Sequence, residues 1–350
     1  MPHSTELLRC LERLQAIESL ETLRSGVADL NQALRGASSE LLPGVEEGEI
    51  SGAQSELCRA LDQIAASQTV GRAHHYLKQL IRSLTELKTS PLNDINLLRW
   101  KDYEHILTDS LWLIDRRDNS GVHTAGYWGN FVPQIPRQMM LRYTKRGEWV
   151  LDPFAGAGTT LIEAQRLARN SLGIELQANV AYQARQLVEA EPNPHKVTSA
   201  MITGDSLTLD YATLLERHGQ RSVQLAILHP PYFDIIRFSD DPRDLSNSST
   251  VPAFLDALGT VVDQTWKVLD PGRYLALVIG DKYAKGEWIP LGFLSMNEVV
   301  RRGFLLKSIV VKNFEETSGK RRQKELWRYR ALAAGFYVFK HEYIFVLQKR

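Results

Sequence analysis

The sequence has few cysteines and no long hydrophobic run. Only Cys10 and Cys58 occur among 350 residues, too few for a disulfide framework or a cysteine-rich zinc site, and this scarcity favours a reducing compartment. No apolar run approaches the roughly 20 residues needed to span a bilayer, and no His, Cys and Asp cluster has metal-ligand spacing. The N-terminus is charged and does not look like a signal peptide. We therefore expect a cytoplasmic protein with no metal and no membrane contact.

The net charge of the chain, +1, neither favours nor excludes nucleic acid as a partner. Its distribution is more informative, because residues 301–350 contain thirteen Lys and Arg against four Asp and Glu. Such a C-terminal excess of positive charge suits a polyanion such as double-stranded DNA. The alternative is an ordinary solvated charged face.

The first part of the chain has the apolar spacing of helices. Leucine and isoleucine recur every three or four residues between 7 and 20, and a second helical stretch covers roughly 52–88. The segment 36–52 between them is rich in Gly, Ser and acids and is typical of a loop. We expect residues 1–95 to form a helical N-terminal extension, a surface suited to a homodimer or a partner subunit, and residues 96–350 to form the second domain.

From about residue 145 short apolar strands alternate with helical stretches. This alternation predicts an α/β fold with a mostly parallel, doubly wound sheet, and the final pair of strands predicts an antiparallel C-terminal strand. The strand candidates are residues 148–151, 171–174, 200–203, 224–228, 274–279, 304–312 and 342–348.

A glycine loop follows the first of these strands. Asp152-Pro153-Phe154-Ala155-Gly156-Ala157-Gly158-Thr159-Thr160 leads from strand to helix, and its glycines allow a sharp turn and a close approach of backbone to a ligand. Thr159 or Thr160 is suited to cap the helix. The loop lacks the Gly-Lys-Ser/Thr of a phosphate-binding P-loop, and the carboxylate of Asp152 disfavours a triphosphate. We expect a ligand with a cationic part or a hydroxyl.

Acidic residues stand at three successive strand ends. Glu175 and Asp205 end the two strands that follow Asp152. In open α/β sheets ligands bind at the carboxyl ends of the strands, where an acid can accept the hydroxyls of a ribose. Asp205 is suited to accept from an adenine amino group. Together the three acids predict one nucleoside pocket.

The tetrapeptide His229-Pro230-Pro231-Tyr232 completes a resemblance to a known family. The chain resembles the DNA amino-methyltransferases, whose signatures are a DPFxGxGTT loop and an Asp/Asn/Ser-Pro-Pro-Tyr/Phe tetrapeptide. The segment 129–134 is similar to the family element that touches the methionine part of the cofactor. The resemblance covers roughly 110–350 and implies a Rossmann-like class I methyltransferase fold with S-adenosylmethionine as cofactor. It assigns cofactor binding to Asn130, Phe131, Asp152, Pro153, Phe154, Gly156, Gly158, Thr159, Glu175 and Asp205.

The same resemblance assigns catalysis to His229, Pro230, Pro231 and Tyr232. In the family, the first side chain and the carbonyl after it accept hydrogen bonds from an exocyclic base amine, and the aromatic ring stacks on a base flipped out of the duplex. The prolines fix the backbone. His229 departs from the usual Asp, Asn or Ser. Only neutral imidazole accepts a hydrogen bond, so with an ordinary pKa of about 6.5 we expect activity to fall on acidification.

A segment near 315–332 mixes cations with aromatics and predicts a DNA-contacting surface. Lys and Arg are suited to phosphates, Arg also reads guanine, and Trp327 and Tyr329 are suited to stack on the extruded base or fill its space. Lys282 is expected to contact a phosphate or to pair with a nearby acid. The alternative for the segment is a charged hairpin with aromatics in the core. The cations assigned to DNA are Lys282, Lys320, Arg321, Arg322, Lys324, Arg328 and Arg330.

These motifs predict a site-specific DNA methyltransferase, adenine-N6 or cytosine-N4 specific, of the restriction-modification kind. The sequence does not decide between the two bases. Three alternatives stay open: an RNA (tRNA) base amino-methyltransferase of the same fold, a protein glutamine methyltransferase, and an inactive, cofactor-bound DNA-binding subunit. Cytosine C5 methylation is disfavoured because it needs a cysteine nucleophile, and neither cysteine lies near the motifs.

Reversal of charge at Lys320, Arg321 and Arg322 to Glu is expected to weaken DNA binding and to leave cofactor binding intact. Each lost phosphate contact removes favourable counterion release. DNA affinity is to be measured at low salt, where these contacts are strongest, and calorimetry with the cofactor serves as the control. An unchanged DNA affinity would contradict the assignment.

Overall fold

The computed structural model describes residues 2–36, 47–123, 126, 129–314 and 324–350, with backbone only for 2–5, 47–53 and 324. The chain divides into two units. One comprises residues 1–91 and 95–105, and the other comprises residues 92–94 and 106–350. Residues 96–105, which the sequence analysis assigned to the second domain, group with the helices of the first unit. Within the described ranges, no helix combines the length and hydropathy that a bilayer crossing requires.

The first unit consists of helices packed around one apolar core. These helices are α1 (Pro2–Gln15), α2 (Leu20–Gly36), α3 (Glu47–Ala65) and α4 (Val70–Thr85). Their recurring apolar residues form the interior, where Leu11, Leu23, Leu61 and Leu77 are fully buried. The stretch predicted over 52–88 is thus two helices, because the Thr69 side chain caps α4 by accepting from Arg72 N at 3.2 Å. Of the predicted loop, residues 47–52 belong to α3, and residues 37–46 lie outside the described residues.

The second unit is built on an eight-stranded sheet. Its order is β1-β9-β10-β6-β5-β2-β3-β4, and β7 and β8 form a separate hairpin. The strands are β1 (Leu111–Trp112), β2 (Trp149–Asp152), β3 (Asn170–Glu175), β4 (Ser199–Thr203), β5 (Val223–Leu228), β6 (Leu269–Ile279), β7 (Lys282–Ala284), β8 (Glu287–Ile289), β9 (Phe304–Asn313) and β10 (His341–Lys349). The helices are α5 (Gln134–Tyr143), α6 (Thr159–Arg166), α7 (Ala178–Ala190), α8 (Tyr211–Glu216), α9 (Val251–Val268), α10 (Leu291–Arg301) and α11 (Lys324–Ala334).

The strand directions confirm the predicted fold class. The pairs β2–β3, β3–β4, β2–β5 and β5–β6 are parallel, whereas β10 runs antiparallel to both of its neighbours, β6 and β9. All seven strand candidates are present, with ends that differ by one residue in most cases and by five residues at the start of β6. This is the Rossmann-like, mostly parallel sheet with an antiparallel C-terminal strand that the sequence predicts.

Both faces of the central strands are covered by helices, as a parallel sheet requires. On one face Leu228 and Leu277 belong to the same core as Phe254 of α9. On the other face Ile227 belongs to the same core as Ile135 of α5. Because neighbouring residues of a strand point to opposite faces, continuous apolar runs such as β5 bury both sides. The edge where β2 to β5 end is therefore the place at which the chain leaves the apolar layers and polar residues gather.

Candidate active site

A cavity of about 760 Å³ lies at the carboxyl edge of the parallel strands. The loops after β2, β3, β4 and β5 all contribute to its wall, which includes Pro153–Gly156, Glu175, Asp205 and the whole tetrapeptide 229–232. The glycine loop and the tetrapeptide thus face one space, although 69 residues separate Thr160 from His229 in the chain. Of the predicted cofactor residues, Asp152, Gly158 and Thr159 are absent from the wall, and the other seven are part of it.

Asp152 lies behind the glycine loop and holds its shape. Its side chain is fully buried, and its carboxylate accepts hydrogen bonds from Phe154 N at 2.9 Å and from Thr160 Oγ1 at 2.5 Å. Burial, together with the nearby charge of Glu175, raises the pKa of Asp152 to about 6. Both carboxylate oxygens therefore bind the loop itself, and direct contact of Asp152 with a cofactor stays a prediction.

The turn of the loop depends on backbone that only glycine adopts easily. Gly156 and Gly158 have φ values of +49° and +79°, in the left-handed region. Gly158 precedes α6, and a Cβ there would lie 3.3 Å from Val188 Cγ2. Thr159, the first residue of α6, donates from Oγ1 to Asn130 Oδ1 at 2.7 Å and so links the helix to the segment that carries Phe131.

The carboxylates of Glu175 and Asp205, which follow the ends of β3 and β4, also line the cavity. Glu175 accepts from Gly156 N at 3.1 Å and from Gln177 N at 2.8 Å, and Asp205 accepts from Leu207 N at 2.9 Å. Burial, and to a lesser degree the charge of Asp244, raises the pKa of Glu175. A carboxylate has about four acceptor positions, so both acids retain capacity for ligand hydroxyl or amino groups. Asp244, which also lines the cavity, was not recognised in the sequence.

The tetrapeptide follows β5 and carries two coupled rings. The His229 ring stacks on Phe131, with centroids 4.7 Å apart and planes at 25°, and meets the Tyr232 ring edge-on at 5.6 Å. His229 Nε2 lies 3.3 Å from Tyr232 Oη. Pro230 and Pro231 also line the cavity. A Cβ at Gly280, after β6, would lie 3.0 Å from Tyr232 Cε2, so the glycine leaves room for this ring.

A buried ion pair that the sequence analysis missed lies next to these rings. Tyr232 Oη donates to Glu342 Oε2 at 2.6 Å, and Lys312 Nζ donates to Glu342 Oε1 at 3.0 Å. Lys312 on β9 and Glu342 on β10 are cross-strand partners. Burial alone would raise the pKa of Glu342, but Lys312, His229 and the Tyr232 hydroxyl outweigh it and hold that pKa below its usual range.

The surroundings of His229 change the expected pH dependence. Burial lowers the pKa of His229 to about 4, because the opposing attraction of Glu342 is partly cancelled by Lys312. The imidazole is therefore neutral, and able to accept a hydrogen bond, throughout the neutral and mildly acidic range. The expectation of a loss near pH 6.5, which assumed an ordinary pKa, is replaced by a loss near pH 4.

Aromatic rings pair at and beside the cavity, whose wall includes Tyr283, Phe336 and Phe339 but not Trp288. Tyr283 of β7 stacks on Phe336 at 4.2 Å, and Trp288 of β8 meets Phe339 at the same centroid distance. The Lys282 ammonium pairs with Asp234, which is the second of the two expectations for this residue. Contact of Lys282 with a phosphate stays a prediction.

Helix α11 connects the cavity to exposed cations. Trp327 lines the cavity, and the Arg330 guanidinium lies 5.3 Å from the centre of its ring. Arg328, Tyr329 and Arg330 are exposed. Lys320, Arg321 and Arg322 lie outside the described residues, as does the side chain of Lys324. A role in DNA binding stays a prediction for all of these residues.

The strand order is that of a Rossmann-like fold, and the glycine loop and the tetrapeptide line one cavity of it. The family model described as DNA methylase matches residues 77–186, a segment that contains the glycine loop and ends before the tetrapeptide. The resemblance to the DNA amino-methyltransferases is thereby confirmed, and with it the class of cofactor.

Known proteins match short parts of the chain. The type II methyltransferase M.MjaII of Methanocaldococcus jannaschii is 38% identical over 56 residues, 16% of this chain and 10% of that protein. M2.DpnII of Streptococcus pneumoniae is 43% identical over 54 residues, 15% and 20% of the two chains. The chain thus spans at most a fifth of these relatives. The crystal structure of TrmN from Thermus thermophilus is 17% identical, with a TM-score of 0.39 over 63% of this chain and 49% of that one.

Replacement of Thr160 by Val is expected to lower cofactor affinity as much as Asp152→Asn does. If Asp152 acts through the loop, Thr160→Val removes the donor of the buried hydrogen bond and Asp152→Asn replaces its charged acceptor by a neutral amide, so each change weakens the same contact, by about 1–3 kcal/mol. Thermal denaturation and calorimetry with S-adenosylmethionine give the two readouts, and both are expected to fall together. A loss of affinity in Asp152→Asn alone, at unchanged melting temperature, would show direct contact instead.

Between pH 8 and about pH 5.5, the protonation state of His229 is expected to have no effect on the maximal rate of methyl transfer. Below that, protonation of its ring, with a pKa of about 4, removes the acceptor and the rate falls. His229→Asn is the control, because an amide does not titrate. Titration of Asp152, whose pKa is raised to about 6, appears in both proteins. A loss centred near pH 6.5 in the wild type alone would contradict this prediction.

Proposed function

We propose that the protein transfers a methyl group from S-adenosylmethionine to an exocyclic amino group of a DNA base, adenine N6 or cytosine N4. The observation that carries the proposal is the shared cavity, in which the glycine loop and the tetrapeptide 229–232 face each other. A methyl donor held by one segment and an amine held by the other are within reach of each other. Much of the catalytic effect then comes from orientation of the two reactants.

The residues present fit the cofactor. Backbone at Gly156 approaches the cavity without a side chain, and the carboxylates of Glu175 and Asp205 offer acceptors for ribose hydroxyls and an amino group. Asn130 and Phe131 form the wall on the tetrapeptide side. When bound, the cofactor supplies an electrophilic methyl group on a positively charged sulfur. The carboxylates of Glu175 and Asp205 in the cavity wall suit a ligand with a positive charge.

The tetrapeptide is suited to present the amine. The amine lone pair is delocalised into the base, so the site must hold the NH₂ group by hydrogen bonds that turn the lone pair toward the methyl group. His229 and the Pro230 carbonyl are the acceptors, and neither proline offers a competing N–H group. Bound S-adenosylmethionine would supply the methyl group to this nitrogen, and its sulfur would keep the electron pair of the former bond to that carbon. The methylated nitrogen then loses one proton to solvent.

A base inside a duplex cannot reach this cavity, so the proposal includes base flipping. Tyr232 supplies the stacking surface, and Tyr283, Phe336 and Phe339 add further aromatic rings to the wall of the same cavity. The exposed cations Arg328 and Arg330 of α11 are suited to the phosphates on either side of the flipped base. Trp327, between these cations and the cavity, is suited to fill the space that the base leaves.

Two wider roles belong to the same proposal. The helices of residues 1–91 provide a surface for a homodimer or a partner subunit, and methylation serves a restriction-modification system. The first proposal draws on the helical pattern of this region, and the second on the resemblance of the motifs and on the relatives described as type II methyltransferases.

A labelled methyl-transfer assay on duplex DNA, tRNA and total protein tests the proposed function. We expect label in DNA alone, and nucleoside mass spectrometry is expected to find N6-methyladenine or N4-methylcytosine. Tyr232→Ala is expected to lower the rate about a hundredfold through lost orientation, with cofactor affinity retained in calorimetry. Label in tRNA or protein, or no affinity for S-adenosylmethionine, would refute the proposal.

A further inference from the structure

A chain of hydrogen bonds runs from a buried cation to the first residue of the tetrapeptide. Lys312 donates to Glu342, Tyr232 donates to the other oxygen of Glu342, and His229 Nε2 lies 3.3 Å from the Tyr232 hydroxyl. Lys312 and Glu342 are 5% and 8% exposed, so solvent does not compete strongly for these bonds. All four residues line the cavity.

The direction of every bond in this chain follows from the charge of Glu342. Next to the Lys312 ammonium Glu342 is a carboxylate, and a carboxylate only accepts hydrogen bonds. The Tyr232 hydroxyl therefore donates its single proton to Glu342, with 2.6 Å between Oη and Oε2. The hydroxyl oxygen has only lone pairs left for His229, so Nε2 must carry the hydrogen of that bond. In a neutral imidazole Nδ1 is then the nitrogen without a proton.

We propose that Glu342 is a positioning residue that, through Tyr232 and with Lys312, fixes the His229 tautomer so that Nδ1 accepts a hydrogen bond from the target amine. This inference rests on the proposed function. Within the described part of the chain, the only hydrogen bond of the ring is the one through Nε2. The stack on Phe131 at 4.7 Å holds the plane of the ring while the bond to Tyr232 holds its edge.

This chain of hydrogen bonds explains how a histidine can take the position at which the family has Asp, Asn or Ser. The oxygen of those side chains is an acceptor without further help, whereas imidazole presents an acceptor at a given nitrogen only in one of two tautomers. Glu342 makes that choice from the neighbouring strand. It is not the destination of the amine proton, because Lys312 and the Tyr232 hydroxyl stabilise its charged form.

The tautomer can be measured without any substrate. We use long-range 1H–15N correlation spectra of full-length protein labelled with 15N-histidine, in which His229→Asn identifies the His229 signals among nine histidines. We expect a protonated Nε2 and an unprotonated Nδ1 in the wild type. In Glu342→Gln the amide can donate to Tyr232, which frees the hydroxyl proton for His229, so a mixture of tautomers is expected. Tyr232→Phe, which removes the hydroxyl that accepts from Nε2, is also expected to shift the His229 signals. It replaces Glu342→Gln as the test if that variant does not fold.

Tyr343→Phe is the matched control. It removes a buried hydroxyl from β10, on the residue that follows Glu342, where that hydroxyl donates to the carboxylate of Asp281 at 3.2 Å, and is expected to leave the His229 signals unchanged. A protonated Nδ1 in the wild type would overturn the proposal, as would signals that change in neither Glu342→Gln nor Tyr232→Phe.

A kinetic cycle gives an independent readout. Tyr232→Phe is expected to lower kcat for DNA methylation about tenfold or more, with KM for S-adenosylmethionine unchanged. In a His229→Asn background, where no tautomer needs fixing, the same change is expected to cost less than about threefold. Equal losses in both backgrounds would overturn the positioning role. Failure of the proposed function is recognised separately, because it abolishes DNA methylation and leaves the tautomer as expected.

Discussion

The parallel direction of β2, β3, β4 and β5 is the constraint on which the site depends. Parallel strands must end at the same edge of the sheet, so residues that follow different strands become neighbours there whatever their separation in the chain. This is how the loop after β2 and the tetrapeptide after β5 come to share a cavity. The apolar strands, buried on both faces by helices, hold that edge rigid and leave the chemistry to the loops.

Charges that cannot reach water are the second constraint. Asp152, Lys312 and Glu342 are buried, and each is matched by hydrogen bonds or by an opposite charge. An unmatched buried charge would cost several kcal/mol, so such groups have few alternative arrangements. Burial therefore fixes the positions of these side chains as well as their protonation states. The carboxylate of Asp152 holds the glycine loop in place, and the carboxylate of Glu342 holds Tyr232 of the tetrapeptide.

The sequence predicts the fold and the location of the site well, because both follow from apolar runs and from the residues that end them. Strands β2 to β5, and the acids Glu175 and Asp205 at their edge, were all recognised in this way. The hydrogen bonds of Asp152 to Phe154 and Thr160 were not, since a residue at a strand end can face either a ligand or its own loop, and the sequence does not distinguish the two.

The pair Lys312–Glu342 was not recognised in the sequence. Each residue lies at the end of a predicted strand, but the pairing depends on the register of two strands whose ends are 28 residues apart in the chain. A single charge at the end of each apolar strand was the available signal. The His229 tautomer depends on the same register and was equally beyond sequence reasoning.

The antiparallel strand β10 has a consequence for synthesis of the protein. It is made after every other strand of the sheet, yet it lies between β6 and β9 in the interior. While the chain emerges from the ribosome, β2 to β6 can already pair, but β9 has no partner on its inner side until β10 follows. Glu342 arrives with that strand, so a nascent chain has its glycine loop early and completes its catalytic pocket last.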